Sequence, residues 1–555
     1  MHRAWTRKKN AGDHRLGFLG FLGCLLAVFV AVAPASAEKP EPLGAEVAAL
    51  PVIAAVSITN NNIFDLEDPE EDKSIFRLAN RLHVRTREDV IRQQLLFKPG
   101  EPLSKQAVEE TERILRGNRY IQDVSVRAVP RDDGYVDVDV ITSDVWTLMP
   151  KVAFKRAGGA SETALGIKEM NLLGSGIAVE ALYKSEIDRD STVLKVVDKN
   201  LGRSWYRLEA LMADNSDGHD VFLNIGKPFY SLDSRDSQDL LVNHSDRIES
   251  YYAGGELAAE LQHEVRGLEL SLGRSSGLRN GWARRIMAGV VYDEHLYAPL
   301  DGAVAPQLPG LEGRKLIYPF VGVEFIEDRF EKSSNLDQIH RVEDRFLGAA
   351  IGARLGLAST AFGAGRDTWI LNARAQKGFG DTSSNALLLS SELDARMQTA
   401  GAHNLALDVA ARFYRRQSER RLLYIGLTGT YGRNPDPEQY LALGGDNGMR
   451  GYPLRYQTGE SRAVMTVEQR IFTDWYPFRL FRVGGAAFLD VGKTWGANPV
   501  AGERDTLLKD IGFGLRLGST RSGLGRMIHI DVAFPLDGEA DIDDVQFLVS
   551  TRKSF

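Results

Sequence analysis

The sequence predicts an all-β membrane barrel preceded by a small α+β domain. Three observations lead there. From Trp146 onward, runs of alternating apolar and polar residues recur between turn residues, as strands need when one face meets lipid and the other a polar lumen. Between Pro51 and Val145 the order is instead strand, helix, helix, strand, strand. No segment after the N-terminal leader holds the continuous apolar stretch of a membrane helix, so any later span must be a closed barrel.

Residues 1–37 have the layout of a secretory signal. Arg3, Arg7, Lys8, Lys9 and Arg15 form a basic start, residues 16–33 are apolar, and Ala35-Ser36-Ala37 offers small residues for cleavage. Removing five basic residues and one acid takes the formal charge from −7 to about −11. An uncleaved anchor and a lipoprotein attached through Cys24 are the alternatives. Pro34 and the small residues after it oppose the first, and the position of Cys24 inside the apolar core opposes the second. The mature chain would hold no cysteine, which is compatible with an oxidising compartment. The acidic balance and the lack of a basic stripe exclude a nucleic-acid partner.

Residues 38–50 read as a linker and 51–145 as the front domain. A strand is expected at 52–58, an exposed acidic stretch at 65–73 and a short helix at 74–81. Thr86-Arg87-Glu88-Asp89 has capping-box spacing. Val90, Ile91, Leu95 and Leu96 then share a helical face until Lys98-Pro99-Gly100 stops it. Ser104 can cap a second helix carrying Ala107, Val108, Ile114 and Leu115, with Gly117 at its end. Two strands, 124–129 and 135–141, are joined by the turn Arg131-Asp132-Asp133-Gly134.

Residues 146–555 read as the barrel. Clear strand patterns lie at 177–183, 205–212, 282–292, 318–325, 346–357, 368–375, 386–395, 405–414 and 422–431. Later ones lie at 462–472, 483–491, 511–518, 527–534 and 546–555. The alternation gives about fifteen strands before residue 444 and five after it, with tight turns at 172–176 and 201–203. Trp205, Trp282, Trp369 and Trp475 are candidates for interfacial girdles, with packing in a soluble core as the alternative.

Between two of these strands lies Gly444-Gly445-Asp446-Asn447-Gly448-Met449-Arg450-Gly451-Tyr452. It is longer than a hairpin needs, and it carries one arginine, a rigid fork of donors suited to a carboxylate. Asp490 interrupts the apolar run Phe488-Leu489-Asp490-Val491-Gly492, and Glu468 lies in the strand between.

This order of motifs resembles the outer-membrane insertase and translocase superfamily of BamA and TamA, the bacterial surface antigen family. The front domain resembles that superfamily's POTRA domain through Leu96-Phe97-Lys98-Pro99-Gly100-Glu101-Pro102-Leu103 and Tyr120-Ile121-Gln122-Asp123-Val124. Residues 61–83 depart from the pattern, and a single POTRA-like unit is visible.

The resemblance implies that the loop folds into the lumen. Arg450, followed by Gly451 and Tyr452, would contact Asp490 and Glu468 on a wall that also carries Phe488 and Gly492. It implies an even strand number of about 16, against the count of up to 20 from alternation. Phe555, with Phe547, Val549 and Thr551 on the same parity, would be the C-terminal barrel signal, from which Lys553 departs. The implied function is non-enzymatic: assembly or translocation of outer-membrane or secreted polypeptides. The barrel would sit among outer-membrane lipids, with the front domain in the periplasm recruiting clients or a partner. A weak seam would lie between residues 152–155 and 546–555.

Two rivals use the same fold. One is a pore for a small solute or a lipid. The other is a hydrolase acting through Ser275 in Gly273-Arg274-Ser275-Ser276-Gly277, but that pattern needs a strand-to-helix elbow and reads here as a turn. The acidic stretch 537–544 is too irregular for a calcium loop. No catalytic residue, metal or cofactor is expected.

Overall fold

The computed structural model describes residues 50–552, apart from 158–159, 254–255, 301, 303–310, 400, 446, 497–505, 524–526 and 538–541. The leader, Cys24, most of the linker, Lys553 and Phe555 therefore lie outside the described residues, as does part of the acidic stretch 537–544.

The front domain comprises β1 (Ile53–Asn61), α1 (Ser74–Leu82), α2 (Glu88–Arg92), α3 (Lys105–Arg116), β2 (Ile121–Pro130) and β3 (Val136–Asp144). β3 is central, parallel to β1 and antiparallel to β2. Strict alternation explains its place: Val136, Val138 and Val140 are buried while the aspartates between them face outward. The three valines meet Ile91, Leu115, Ile121 and Phe97 in one apolar core. The Ser104 hydroxyl caps α3 by accepting from the Ala107 amide at 3.1 Å. Gly117 keeps a right-handed φ of −66°, so that end is not a left-handed cap.

Two expectations fail here, for physical reasons. The capping box at Thr86 does not form, and α2 has five residues with Arg87 at its N-cap. Thr86 is used elsewhere: its amide (2.7 Å) and hydroxyl (2.9 Å) both donate to Asp144, a fully buried carboxylate. The stretch 65–73 is not wholly exposed either. Glu71 is buried and pairs with Arg521. Segment 61–83 is a joint to the barrel: Ile63, Phe64 and Phe76 pack with Trp146 and Leu480, the two phenylalanine rings stacking at 4.2 Å.

From Leu148 the described residues form a closed antiparallel barrel of twenty strands, fifteen before the arginine loop and five after it. The alternation therefore counted the strands better than the resemblance did. Sequence neighbours pair throughout. The Leu508–Ser519 strand shows the logic: Ile511, Phe513 and Leu515 are exposed outside, while Asp510 and Arg516 are fully buried inside. Across the barrel, Ile286 and Val290 are exposed on the Trp282–Pro299 strand, and Arg285 and His295 are buried. An apolar exterior around a polar interior is the signature of a lipid-facing barrel. Trp369 and Trp475 are exposed, whereas Trp205 stacks on Tyr230 at 4.1 Å and Trp282 packs toward Ala349 and Ala375.

Ser275 lies inside the Glu256–Arg279 strand, paired with Arg285 and followed by a bulge, not in the turn. The turn is Asn280-Gly281, with φ of 51° and 75°, the positive values a two-residue hairpin favours. A strand on each side leaves no helix for a nucleophile elbow.

Between the strands ending at Glu327 and beginning at Ala349 the chain makes a small hairpin, Phe330–Ser333 with Glu343–Phe346. Its tip enters the barrel, where Leu336 and Ile339 pack against Tyr414, Leu422 and Phe472. The hairpin thus enters the lumen from the rim near the front domain. At the closure, the partnering between Leu148–Ala157 and Gln546–Arg552 among the described residues is Val549 with Arg156, with 158–159 and 553–555 outside them. The preceding hairpin holds seven pairs and the following one ten.

Candidate functional site: the arginine loop and its wall

The wall that receives the loop is built from four adjacent strands: Ser461–Phe472, Phe481–Trp495, Leu508–Ser519 and Met527–Pro535. Register aligns their inward residues in rows. Thr466, Asp490 and Asp510 form one row, Glu468, Phe488 and Gly512 the next, and Arg470, Ala486, Gly514 and Asp531 the third.

Arg450 enters over the first two rows. Its Nε donates to Oδ2 of Asp490 at 2.7 Å and a terminal nitrogen donates to Oδ1 at 3.0 Å, a two-pronged contact. The Thr466 hydroxyl donates to the same carboxylate at 2.7 Å. The guanidinium lies 3.3 Å above the Phe488 ring centre, and 3.7 Å separates it from both Glu468 and Asp531. Arg450 and Asp490 are 3% and 1% exposed, so the pair is dry and not partly solvated as a lumen would suggest.

The motif Phe488-x-Asp490-x-Gly492 now has a geometric reading. Phe488 is the floor under the guanidinium, and Gly512 makes room for it: a Cβ there would lie 2.4 Å from the ring. Asp490 takes the fork. Gly492 clears the loop, since a Cβ would lie 2.8 Å from the sulfur of Met449. Gly451 is equally constrained, as its Cβ would fall 2.6 Å from the Asp510 side chain, and its amide donates to Asp510 at 3.0 Å. The Tyr452 hydroxyl donates to the Lys509 carbonyl at 2.9 Å, with its ring buried beside Met449 and Leu508.

Sequence reasoning missed the partners beyond Asp490 and Glu468. Glu468 is shared among Arg450, Arg470 (3.2 Å) and Arg516 (3.0 Å), and Arg516 also pairs with Asp531. Arg470 then reaches the hairpin from the other rim, donating to the Leu336 carbonyl at 2.6 Å and meeting Asp337 at 3.2 Å. Asp337 meets Arg345 at 2.6 Å. Alternating charges thus run from the loop through the wall to the hairpin. A signal existed for Asp510 and Asp531: each stands at an inward position of a strand whose outward residues are mostly apolar, as Asp490 does.

The hairpin meets α3 of the front domain. Arg116 makes a two-pronged contact with Asp344 at 2.8 and 2.9 Å, and Lys332 pairs with Glu112. Arg113 lies 4.1 Å over Phe330. Glu110 accepts from the Leu232 amide at 2.8 Å and lines a cavity of about 760 Å³ with Arg285, Glu324 and Arg374. Burial pushes the Glu110 carboxyl above the ordinary glutamate range, against the pull of the Leu232 amide. Burial also opposes ionisation of Glu112, but Lys332 and the Val126 amide hold it below that range.

Residues 82–142 match the POTRA family, described as a surface antigen variable number repeat. The front unit is a POTRA domain. A surface-antigen repeat ahead of a closed barrel is the architecture of the BamA and TamA superfamily that the motifs resemble. Among solved structures, CdiB from Escherichia coli is similar at 12% identity over 99% of this chain and 100% of that one, with a TM-score of 0.46. BamA from Haemophilus ducreyi, lacking POTRA domains 1–3, is similar at 12% identity over 90% and 84%, with a TM-score of 0.40. CdiB from Acinetobacter baumannii gives 11% over 90% and 74%, with a TM-score of 0.44. No curated protein matches the sequence.

The POTRA domain joins the barrel through Asp144. Besides Thr86, that carboxylate meets His83 at 3.0 Å, and Asn171, in the turn between the second and third barrel strands, donates to the Thr86 hydroxyl at 2.8 Å. The domain is fastened by this joint, by α3 and by segment 61–83.

Proposed function

We propose that the protein is a non-enzymatic outer-membrane factor that assembles or translocates other polypeptides, with its POTRA domain on the periplasmic side recruiting clients. The observation that carries this reading is the barrel closure, where one pair joins the first and last strands among the described residues. The arginine loop enters from one rim and the hairpin from the other, beside a lumen cavity of about 760 Å³. Among the described residues, the first and last strands meet at one pair, Val549 with Arg156. An under-paired edge is a template for an incoming strand, so clients would engage the seam and the POTRA domain would deliver them to it. The outer-membrane location follows from the apolar exterior and the POTRA domain. Arg450 with Asp490 and Glu468 keeps the loop seated, which holds the wall next to the seam in register.

A disulfide staple tests the reading. The mature chain would have no cysteine of its own, so a pair introduced at Val549 and Arg156 has no competitor. Oxidation should stop client assembly in reconstituted vesicles, and reductant should restore it. Full activity of a verified stapled barrel would reject the seam. Solute conductance without any client, unchanged by the staple, would favour the pore.

A further inference from the structure

The arginine loop is anchored at a second place, far from Arg450. It begins at Asp436, Pro437 and Glu438, which lie against the inner wall. The Tyr251 hydroxyl donates to the Pro437 carbonyl at 3.1 Å. Arg314 donates to Asp436 at 2.8 Å and to Glu438 at 2.7 Å. Arg396 pairs with Asp436, and the Tyr297 hydroxyl donates to Glu438.

Two histidines meet inside this patch. His263 and His295 sit on the inward faces of the Glu256–Arg279 and Trp282–Pro299 strands and are 0% and 8% exposed. Nε2 of His263 lies 2.8 Å from Nδ1 of His295, and that Nδ1 lies 3.6 Å from Oε1 of Glu438. The donor atoms of these three side chains all fall within 4.8 Å of one another. The other nitrogen of each ring has its own carboxylate. Glu249 lies 2.8 Å from Nδ1 of His263, and Asp293 lies 3.0 Å from Nε2 of His295. Tyr297 stacks on the His263 ring at 4.6 Å.

A carboxylate on the outer nitrogen puts the proton there and leaves the inner nitrogen with its lone pair. Metal-bound histidines are usually held this way. Two imidazoles and one carboxylate are a donor set suited to zinc and its neighbours. The charge balance agrees: Glu249, Asp293, Asp436 and Glu438 face Arg247, Arg314 and Arg396, one negative charge in excess.

A metal-free arrangement competes. A terminal nitrogen of Arg314 lies 2.6 Å from Nε2 of His295. If it donates there, the proton of His295 moves to Nδ1 and points at His263, which in turn donates to Glu249. That chain leaves Asp293 3.0 Å from a nitrogen without a proton, two lone pairs facing each other. The opposite choice leaves the inner nitrogens as two lone pairs 2.8 Å apart, which a shared cation would relieve, and Arg314, which already reaches Asp293, Asp436 and Glu438, can give up the ring. Metal–nitrogen bonds of ~2.0–2.1 Å in tetrahedral geometry require the inner nitrogens to separate by about half an ångström, a small rotation of each ring.

We propose that His263, His295 and Glu438 bind a divalent transition-metal ion of the zinc class, which pins the root of the arginine loop to the barrel wall. The full-length protein in detergent is titrated with Co(II) and then with Zn(II). The expected result is the intense visible absorption of four-coordinate cobalt, saturating near one ion per chain and bleached by zinc. His263→Gln and His295→Gln should each abolish the band. Glu438→Gln, at a loop position outside the strand ladder, should weaken binding at least tenfold. Glu249→Gln, which reaches the donor set through His263, should weaken it about 10–100-fold. Zinc should also slow proteolysis within residues 434–460 in the wild type but not in Glu438→Gln. Lack of a saturable band in the wild type would overturn the proposal. So would a band unchanged in Glu438→Gln, or in a histidine variant that still shows heat-modifiable migration.

Discussion

The POTRA domain and the barrel are built inside out with respect to each other. In the POTRA domain Val136, Val138 and Val140 point inward and Asp137 and Asp139 outward. In the Leu508–Ser519 strand Asp510 and Arg516 point inward and Ile511, Phe513 and Leu515 outward. The period is the same; the solvent on each side is different. The POTRA core is held by burying apolar surface. The barrel interior is held by charges that must be paired, because a lone buried charge is costly. Substitutions should therefore act by opposite rules in the two regions.

The largest effect is expected at the arginine fork. Arg450→Ala or Asp490→Ala leaves a buried charge uncompensated and should cost about 3–5 kcal/mol, read as faster proteolysis of the loop and a lower barrel melting temperature. Arg450→Lys should rescue only part, since an ammonium cannot reproduce the planar fork. The double Ala variant should be little worse than either single one, because both act through one contact; additive losses would contradict the pairing.

Next comes the POTRA core. Leu115 is fully buried, and Leu115→Ala should destabilise the domain by about 2–5 kcal/mol. Hydrogen exchange should quicken in β3 while the barrel keeps its heat-modifiable migration. Melting of the barrel along with the domain would show that the two are one cooperative unit.

The outer face gives a smaller loss. Val321 is 62% exposed in the middle of the Arg314–Glu327 strand, and Val321→Arg should cost about 2–4 kcal/mol in a bilayer. A change that would be neutral on a soluble surface becomes damaging here, and equal stability in vesicles and in detergent would argue against lipid at that position.

The smallest effect concerns pH. Docking buries Glu110 and raises its carboxyl pKa above the ordinary 4.5. The docked state therefore holds the proton more tightly, and this group favours docking at low pH and opposes it as pH rises through the raised value. Glu110→Gln should dock more firmly than the wild type at neutral pH. The advantage should vanish as pH falls toward 4.5, measured by crosslinking Lys332 to the POTRA domain. An advantage independent of pH would assign it to packing instead.

Much of this was legible in the sequence because both rules leave local traces. Alternation gave the strand number, even where the resemblance suggested fewer. One acid inside an apolar run gave Asp490, and a glycine-rich connection gave the loop. What was hidden depends on which strand lies beside which. The pairing of His263 with His295, of Arg470 with Asp337 and of Arg116 with Asp344 joins residues that become neighbours only after register and closure are set. Thr86 had the right spacing for a cap, but Asp144, distant in sequence, outcompeted the helix for it. Local signals fail where a buried charge elsewhere needs the same donor.

The joint at segment 61–83 also bears on the order of assembly. Glu71 and Arg521, which pair there, are 450 residues apart, and the Trp146 amide donates to the Arg521 carbonyl at 2.8 Å. The domain made first is thus fastened to a turn made almost last. Contacts of such long range carry a large loop-closure cost and form late. Until the turn at Arg521 is in place, the domain is held through Asp144 and α3 alone, and a chain truncated before that turn lacks the third fastening.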